Sequence, residues 1–216
     1  MHIVVAGASG RTGREVVRHA VSLGMRVAAI VRPGTEFAAP PGVSVLRADV
    51  LADQVAELPA DADVVISTLG MGSDLATPVC EPGTRNLIAA MERVGITRMV
   101  AVSAVPAYAA GLGEPWWFRI IRTLVRRRMP AVYDDIEAME RLLQASRATC
   151  RWTIVRPGYL TDGPATEYRL LAERNATTSV HRVDLAHALL DLAGDDRTVG
   201  RAYGLRRGRT RKAVAA

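Results

Sequence analysis

Seven residues near the N-terminus, Gly7-Ala8-Ser9-Gly10-Arg11-Thr12-Gly13, have the residue types and spacing of a phosphate-binding loop. They follow a strand-like run and open a helix-like one. In that context a glycine loop lets main-chain N–H groups and the positive end of a helix approach a pyrophosphate. Gly7 would permit the tight turn, Gly10 would clear the phosphate face, and Gly13 would let the helix pack on the strand. Ser9, Arg11 and Thr12 fill the positions between. A tight strand-to-helix turn that holds no ligand is the plainer alternative.

Other strand ends extend this reading. The run 27–31 ends in Arg32-Pro33, and no acid follows until Glu36. Sites for NAD place Asp or Glu at this point to bond the ribose 2′-hydroxyl, whereas sites for NADP use Arg for the 2′-phosphate. Arg32 therefore favours NADP(H), with NAD(H) as the alternative. Arg11 would be the second jaw of a phosphate clamp, since guanidinium suits bidentate contact. A solvated strand-end charge is the competing reading of Arg32. Asp49-Val50 closes a third run at the height of an adenine, where Asp49 would accept from the exocyclic amine and Val50 would cover the ring. A fourth run leaves through Thr68-Leu69-Gly70, a small polar exit suited to a ribose or phosphate. A strand-end turn explains either segment equally well.

Several chemistries are excluded by residue type alone. Of the 28 basic residues only Lys212 is a lysine. Schiff bases, a P-loop lysine and the Tyr-xxx-Lys pair of many short-chain reductases are therefore ruled out. Cys80 and Cys150 stand alone, with no CxxC pair or metal knuckle, which fits a reducing, cytoplasmic setting. His2, His19, His181 and His187 lack zinc-site spacing, so no metal is expected. No apolar run approaches the roughly 18 residues of a membrane span, and the N-terminus opens on a strand pattern rather than a signal peptide.

These residues must be positioned by alternating elements. Val- and Ile-rich runs at 2–8, 26–32, 43–49, 63–69, 98–104 and 151–157 suit strands buried on both faces. Helical spacing occupies 12–22, 82–94, 134–145 and 183–192, with Gly24 and Gly95 as stops for the first two. The 216 residues, 49% hydrophobic and 23% charged, fit one domain: an α/β, doubly wound parallel sheet of the Rossmann type with a small helical insertion. The domain is expected over 1–205, with cap elements at about 106–130 and 157–181. In the first, Gly111, Gly113 and Pro115 make a loop, and 116–128 reads as a basic amphipathic helix, whose Trp116-Trp117 would form an interface or cover the core. A nucleic-acid or membrane contact is one reading of its arginines; the plainer one is a cap on the body, the arginines either solvated or drawing an anionic substrate to the crevice. Asp134 and Asp135 are expected to cap the helix that follows them.

The net charge of +6 and pI near 10.0 invite a nucleic-acid or membrane reading. The six cations between Arg201 and Ala216 account for that charge, which assigns it to a basic tail at 206–216. The expected partner is a small-molecule substrate, with neither nucleic acid nor membrane, and the chain is expected to be a monomer or homodimer.

Taken together, GASGRTG, the VRP after the second strand, ADV after the third, VSA at residues 102–104, WTIVRPGYLTDGPAT at 152–166 and HRVDLAHALLDL at 181–192 carry a family resemblance. They resemble the NAD(P)H-binding branch of the atypical short-chain dehydrogenase/reductases, which includes NmrA-like proteins and biliverdin IXβ/flavin reductases. The likeness spans nearly the whole chain, and TIVRPG followed by LTDGP is its more specific part. It implies the doubly wound fold and NADP(H). It also aligns Ser103 with a serine that faces the nicotinamide, where it would bond the carboxamide or a substrate carbonyl, or else satisfy strand-end backbone groups. Tyr159 falls where the biliverdin-type enzymes carry His, and would lend a proton or simply pack. Tyr108 and Tyr133 are further aromatic candidates near the insertion, and Arg156 reads as structural, buried against a carboxylate.

The chain departs from the wider family at the proton-transfer pair: Tyr133 is followed four residues later by Glu137. A carboxylate there would raise a phenol's pKa rather than lower it. The expected function is an NADP(H)-dependent reductase that passes hydride to a small conjugated acceptor, flavin- or quinone-like, largely through proximity. A non-catalytic NADP(H)-sensing regulator of the NmrA-like type is the alternative, and an epimerase or dehydratase using bound cofactor stands third.

Overall fold

Uninterrupted Val, Ile and Ala runs can be buried on both sides of a sheet, and here they are. The computed structural model describes residues 1–52, 57–70, 76–105 and 115–208. In chain order the elements are β1 (His2–Ala6), α1 (Arg11–Ser22), β2 (Arg26–Val31), β3 (Ser44–Arg47), β4 (Val64–Ser67), α2 (Cys80–Val94) and β5 (Arg98–Val102). Then come α3 (Trp116–Arg128), α4 (Pro130–Ala145), β6 (Arg151–Pro157), β7 (Leu160–Thr161), β8 (Tyr168–Ala172), β9 (Val180–His181), α5 (Arg182–Ala193) and β10 (Arg201–Arg207). The main sheet runs β3-β2-β1-β4-β5-β6-β10-β8, parallel except for β8, which is antiparallel to β10.

The pleat sorts side chains into two cores. Ile3, Val5, Val100 and Tyr203 face α1 and α5, where Val16, Val17, Leu185 and Leu189 meet them. Val4, Ala6, Met99 and Ile154 face α2 and α4, against Leu87, Met91, Met139 and Leu143. The sheet is thus wound on both faces. Its order reverses between β1 and β4, which pair in register from Ile3 and Val64. A crevice at the carboxyl ends of the strands is expected at such a switch point. Among the described residues, no helix is long and apolar enough to cross a membrane.

Four expectations are corrected. Residues 157–181 are not simply a cap: they supply β8, the edge strand of the main sheet, and the small parallel pair β7 and β9. The basic C-terminal segment does not leave the fold at 206, because β10 continues to Arg207, with Arg206 and Arg207 registered against Arg169 and Tyr168. Both strands were hidden by arginines interrupting the apolar alternation and by Gly204. A Cβ on Gly204 would lie 2.2 Å from the Arg174 carbonyl, so close backbone approach demands the glycine. Third, α4 starts at Pro130, a favoured first-turn residue, which places Asp134 and Asp135 inside the helix. Fourth, α3 covers little of the core: none of its 13 residues is buried, and its contact with the α2/α4 side is through the partly buried Val125. Tyr108, Gly111 and Gly113, and the tail from Arg209 onward, lie outside the described residues.

Candidate functional site

The glycine loop leaves β1 through Gly7, whose φ of 75° lies in the left-handed region. The Gly10 N–H donates to the Gly7 carbonyl at 3.0 Å, and the Arg14 N–H to Gly10 at 2.9 Å, which closes the turn into α1. A Cβ on Gly13 would stand 2.2 Å from the Gly7 carbonyl oxygen, so only glycine lets the helix lie this close to the loop. Gly10 is the N-cap, no side chain caps α1, and its first turn carries no acid. The positive helix end is therefore open to an anion.

The second helix gives the contrast. Asp135, reaching across from α4, accepts from the N–H groups of Val79, Cys80 and Glu81 at 2.7 to 2.9 Å. It caps α2 rather than its own helix, a correction that sequence separation concealed. One helix N-terminus is satisfied by a carboxylate, and the other opens on a cavity.

That cavity, of about 580 Å³, lies over the switch point. Gly7, Ser9, Gly10, Arg11 and Thr12 line it from the loop, and Arg32 from the end of β2. Asp49 and Val50 line it after β3, and Thr68, Leu69 and Gly70 after β4. Gly13 lies beneath, at the helix–strand contact. Details refine several of these positions. The Asp49 carboxylate accepts from the Leu51 N–H at 3.0 Å, and Asn86 donates to the carbonyls of Val50 and Ala52, both at 3.0 Å. The loop that would carry an adenine is thereby fixed. The Thr68 hydroxyl donates to the carbonyls of Ala6 at 2.9 Å and Gly7 at 3.2 Å, so it braces the turn from behind. Arg14 props the loop too: its Nε donates to the Ser9 carbonyl at 2.8 Å while its guanidinium lies 5.5 Å from the centre of the Phe37 ring.

Sequence reasoning missed the far wall. Leu160 and Arg182 also line the cavity, although about 150 residues or more separate them from the loop. The Arg182 guanidinium donates to Asp162 at 2.7 Å, and Arg11 pairs with the other oxygen of the same carboxylate. The bond from Arg182, then that from Arg11, holds the Asp162 carboxyl below the ordinary range. Arg11 is thus clasped to Asp162 in this structure. No spacing rule links Arg182 to residues 7–13; the return of β9 into α5 does. Three arginines, Arg11, Arg32 and Arg182, border one cavity beside an uncapped helix end. The chemistry of that donor set suits the phosphates of a dinucleotide.

The residues expected at the reacting end are placed differently. Ser103 is buried and does not line the cavity. Its N–H donates to the Val155 carbonyl at 2.8 Å, and its hydroxyl donates to Glu140 at 2.5 Å. Arg156 grips the same carboxylate through Nε at 2.8 Å and a terminal nitrogen at 2.6 Å. The structural reading of Arg156 is met, and Ser103 joins that network. Tyr159 is 80% exposed and lies outside the cavity lining, whereas its neighbour Leu160 lies within it. Tyr133 is buried, and burial pushes its phenol pKa up. Glu137 pairs instead with Arg126 at 2.8 Å.

Comparison with known proteins agrees with this geometry. An uncharacterized chloroplastic protein of Arabidopsis thaliana is 32% identical over 181 residues, covering 76% of this chain and 61% of its own length. This chain therefore spans about three fifths of that relative. ChuY, an anaerobillin reductase of Escherichia coli O157:H7, superposes with a TM-score of 0.74 at 22% identity, covering 99% of this chain and all of its own. A short-chain dehydrogenase/reductase of Veillonella parvula, solved with NADP, has a TM-score of 0.73 at 19% identity and covers 98% of this chain and 96% of its own. These structural likenesses show the fold. Residues 7–196 match the model of the NAD(P)H-binding family, from the first glycine of the loop to the end of α5 and beyond, and the chain belongs to that family.

Proposed function

We propose that the protein is an NADP(H)-dependent oxidoreductase that passes hydride to a small conjugated acceptor of flavin- or quinone-like type. One observation carries the cofactor choice: Arg32 borders the same cavity as the open α1 N-terminus, at the end of a strand that offers no acid to a ribose 2′-hydroxyl. The NADP held by the Veillonella relative and the reductase name of ChuY are consistent with this reading.

A bound nicotinamide would supply the hydride. The chain's own residues would supply position and charge. Gly7 and Gly10 keep the loop free of side chains, the α1 N–H groups and Arg182 hold the pyrophosphate, and Arg32 takes the 2′-phosphate. Val50 and Ile30 form apolar wall against the adenine. With no lysine partner and with Tyr133 buried, the proton that accompanies hydride comes from solvent. An acceptor that accumulates charge on a conjugated system needs no more, because orientation alone lowers the barrier substantially.

The NADP(H)-sensing regulator is favoured by a separate observation: the Ser103 hydroxyl is held by Glu140, and Ser103 does not line the cavity. Titration of NADPH and NADH into the wild type and Arg32→Ala separates the cofactor readings. Loss of a charge-assisted phosphate contact should weaken NADPH roughly 10- to 100-fold and leave NADH within about threefold. Equal losses for the two cofactors would remove Arg32 from the phosphate site. Oxidation of NADPH by flavin, quinone or enone acceptors supports the oxidoreductase. Tight binding without turnover on any of them supports the sensor.

A further inference from the structure

Helix α3 lies on the body the wrong way round for an ordinary surface helix. Its half-buried residues are Phe118, Arg122, Val125 and Arg126, and Arg126 pairs with Asp134 at 3.0 Å and Glu137 at 2.8 Å on α4. Its outward stripe is apolar. Trp116 is 73% exposed, Leu124 59%, Ile120 52%, Ile121 49% and Trp117 44%. Trp116, Ile120 and Leu124 recur every fourth residue, with Trp117 and Ile121 alongside, so the five form one continuous face. A water-facing helix would show the reverse arrangement, and a patch of this kind marks an interaction surface.

The charges around the stripe select the partner. Arg119, Arg127 and Arg128 are exposed: Arg119 borders the apolar face, Arg127 and Arg128 follow it on the same side at the C-terminal end, and the helix contains no acid. A groove of about 470 Å³ runs along it, with Trp116, Ile120 and Leu124 as apolar wall and Arg119 and Arg127 at its edge. Apolar side chains beside guanidinium groups match a lipid monolayer, whose acyl region lies directly beneath anionic headgroups. Two adjacent tryptophans suit the boundary between the two. At 13 residues the helix extends about 20 Å, too short to span a bilayer and suited to lying in its plane.

We infer that α3 docks this protein onto an anionic membrane surface, with Trp116, Trp117, Ile120, Ile121 and Leu124 seated among the acyl chains and Arg119, Arg127 and Arg128 on lipid phosphates. This departs from the sequence expectation of no membrane partner, which preferred an amphipathic cap to a membrane reading of the basic helix. A second copy of the chain is a poorer occupant, because it would bring the same flanking arginines into a shared interface.

The test is flotation of the full chain with phosphatidylcholine vesicles and with mixed phosphatidylcholine–phosphatidylserine vesicles. The mixed vesicles should capture the protein with a blue shift in tryptophan emission, while neutral vesicles capture far less. Arg127→Gln/Arg128→Gln should weaken capture about 25-fold, roughly fivefold for each charge. Ile120→Ser/Leu124→Ser should abolish the blue shift yet leave the circular dichroism spectrum and NADPH binding unchanged, since both side chains are exposed. Equal capture by the two vesicle types would overturn the inference, as would no capture by either. A concentration-dependent dimer that the serine pair dissolves, without vesicle binding, would overturn it in favour of self-association. Duplex DNA that competes the protein away from mixed vesicles and binds the serine pair equally well would overturn it in favour of nucleic acid.

Discussion

Replacing Glu140 should be among the most damaging single substitutions in the molecule. Its carboxylate reaches from α4 to Ser103, just after β5, and to Arg156 on β6, with 8% of the side chain exposed, and Arg156 is only 1% exposed. Three hydrogen bonds converge on it, two from Arg156 and one from Ser103. Glu140→Ala leaves a guanidinium in a site that admits almost no water. Breaking a buried pair from one side costs about 3–5 kcal/mol, and the orphaned Ser103 hydroxyl adds about 1 kcal/mol. Against a total stability of about 5–15 kcal/mol, the variant is left marginal. The apolar double variant Glu140→Leu/Arg156→Met removes both charges at once, so it should cost far less than the sum of the single changes and less than Glu140→Ala alone. Urea unfolding followed by far-ultraviolet circular dichroism measures each midpoint at constant m. Glu140→Gln, which keeps the shape and one acceptor, provides a folded intermediate case if the alanine variant fails to fold. The reasoning is refuted if Glu140→Ala costs under about 1 kcal/mol at unchanged m, or if the double variant costs the sum of the singles.

Other substitutions probe the cavity. Gly13→Ala would drive a methyl group into the Gly7 carbonyl, so isothermal titration should find NADPH binding lost, with thermal unfolding reporting a cost of roughly 1–3 kcal/mol; unimpaired binding would show that helix and loop can separate freely. Asp162→Asn releases Arg11 and Arg182 and removes a negative charge from the phosphate side, so the NADPH Kd should fall about threefold, and a rise would mean that Asp162 positions those arginines instead. Since Asp162 has a carboxyl pKa held below the ordinary range, its clasp persists above about pH 4 and is lost only as pH falls through that depressed value. Wild type and Asp162→Asn should therefore differ by a constant factor from pH 6 to 9. Burial pushes the Cys150 thiol up to about 12 and Cys80 higher still, so neither should react with a thiol reagent at pH 8 until urea unfolds the chain. One fast-reacting thiol in the native protein would contradict this packing.

Local rules carried the reading a long way where the determinant was local. The glycine loop and the six main parallel strands answer to short-range sterics and to runs of β-branched residues that need burial on two faces. Arg32, Asp49, Val50 and Thr68-Leu69-Gly70 were legible as cavity residues, because the carboxyl ends of strands meet at a switch point whenever the fold is doubly wound. Strands β8 and β10 were not legible. Edge position and a neighbour supplied by distant sequence let Arg169 and Arg206 sit in strands that show no clean alternation.

Side-chain roles divided along the same line. The sequence by itself determined the absence of a Tyr–Lys pair, the close helix–loop packing that requires Gly13, and the tight glycine turn from β1 into α1, because residue type or backbone sterics settle each one. Tertiary structure alone decided that Asp135 caps α2, that Ser103 turns to Glu140, that Arg182 lines the cavity opposite the glycine loop, and that α3 presents its apolar stripe outward. Those outcomes rest on which partners long-range packing brings within hydrogen-bond reach, and an amphipathic stripe read along the chain does not say which side will meet the core.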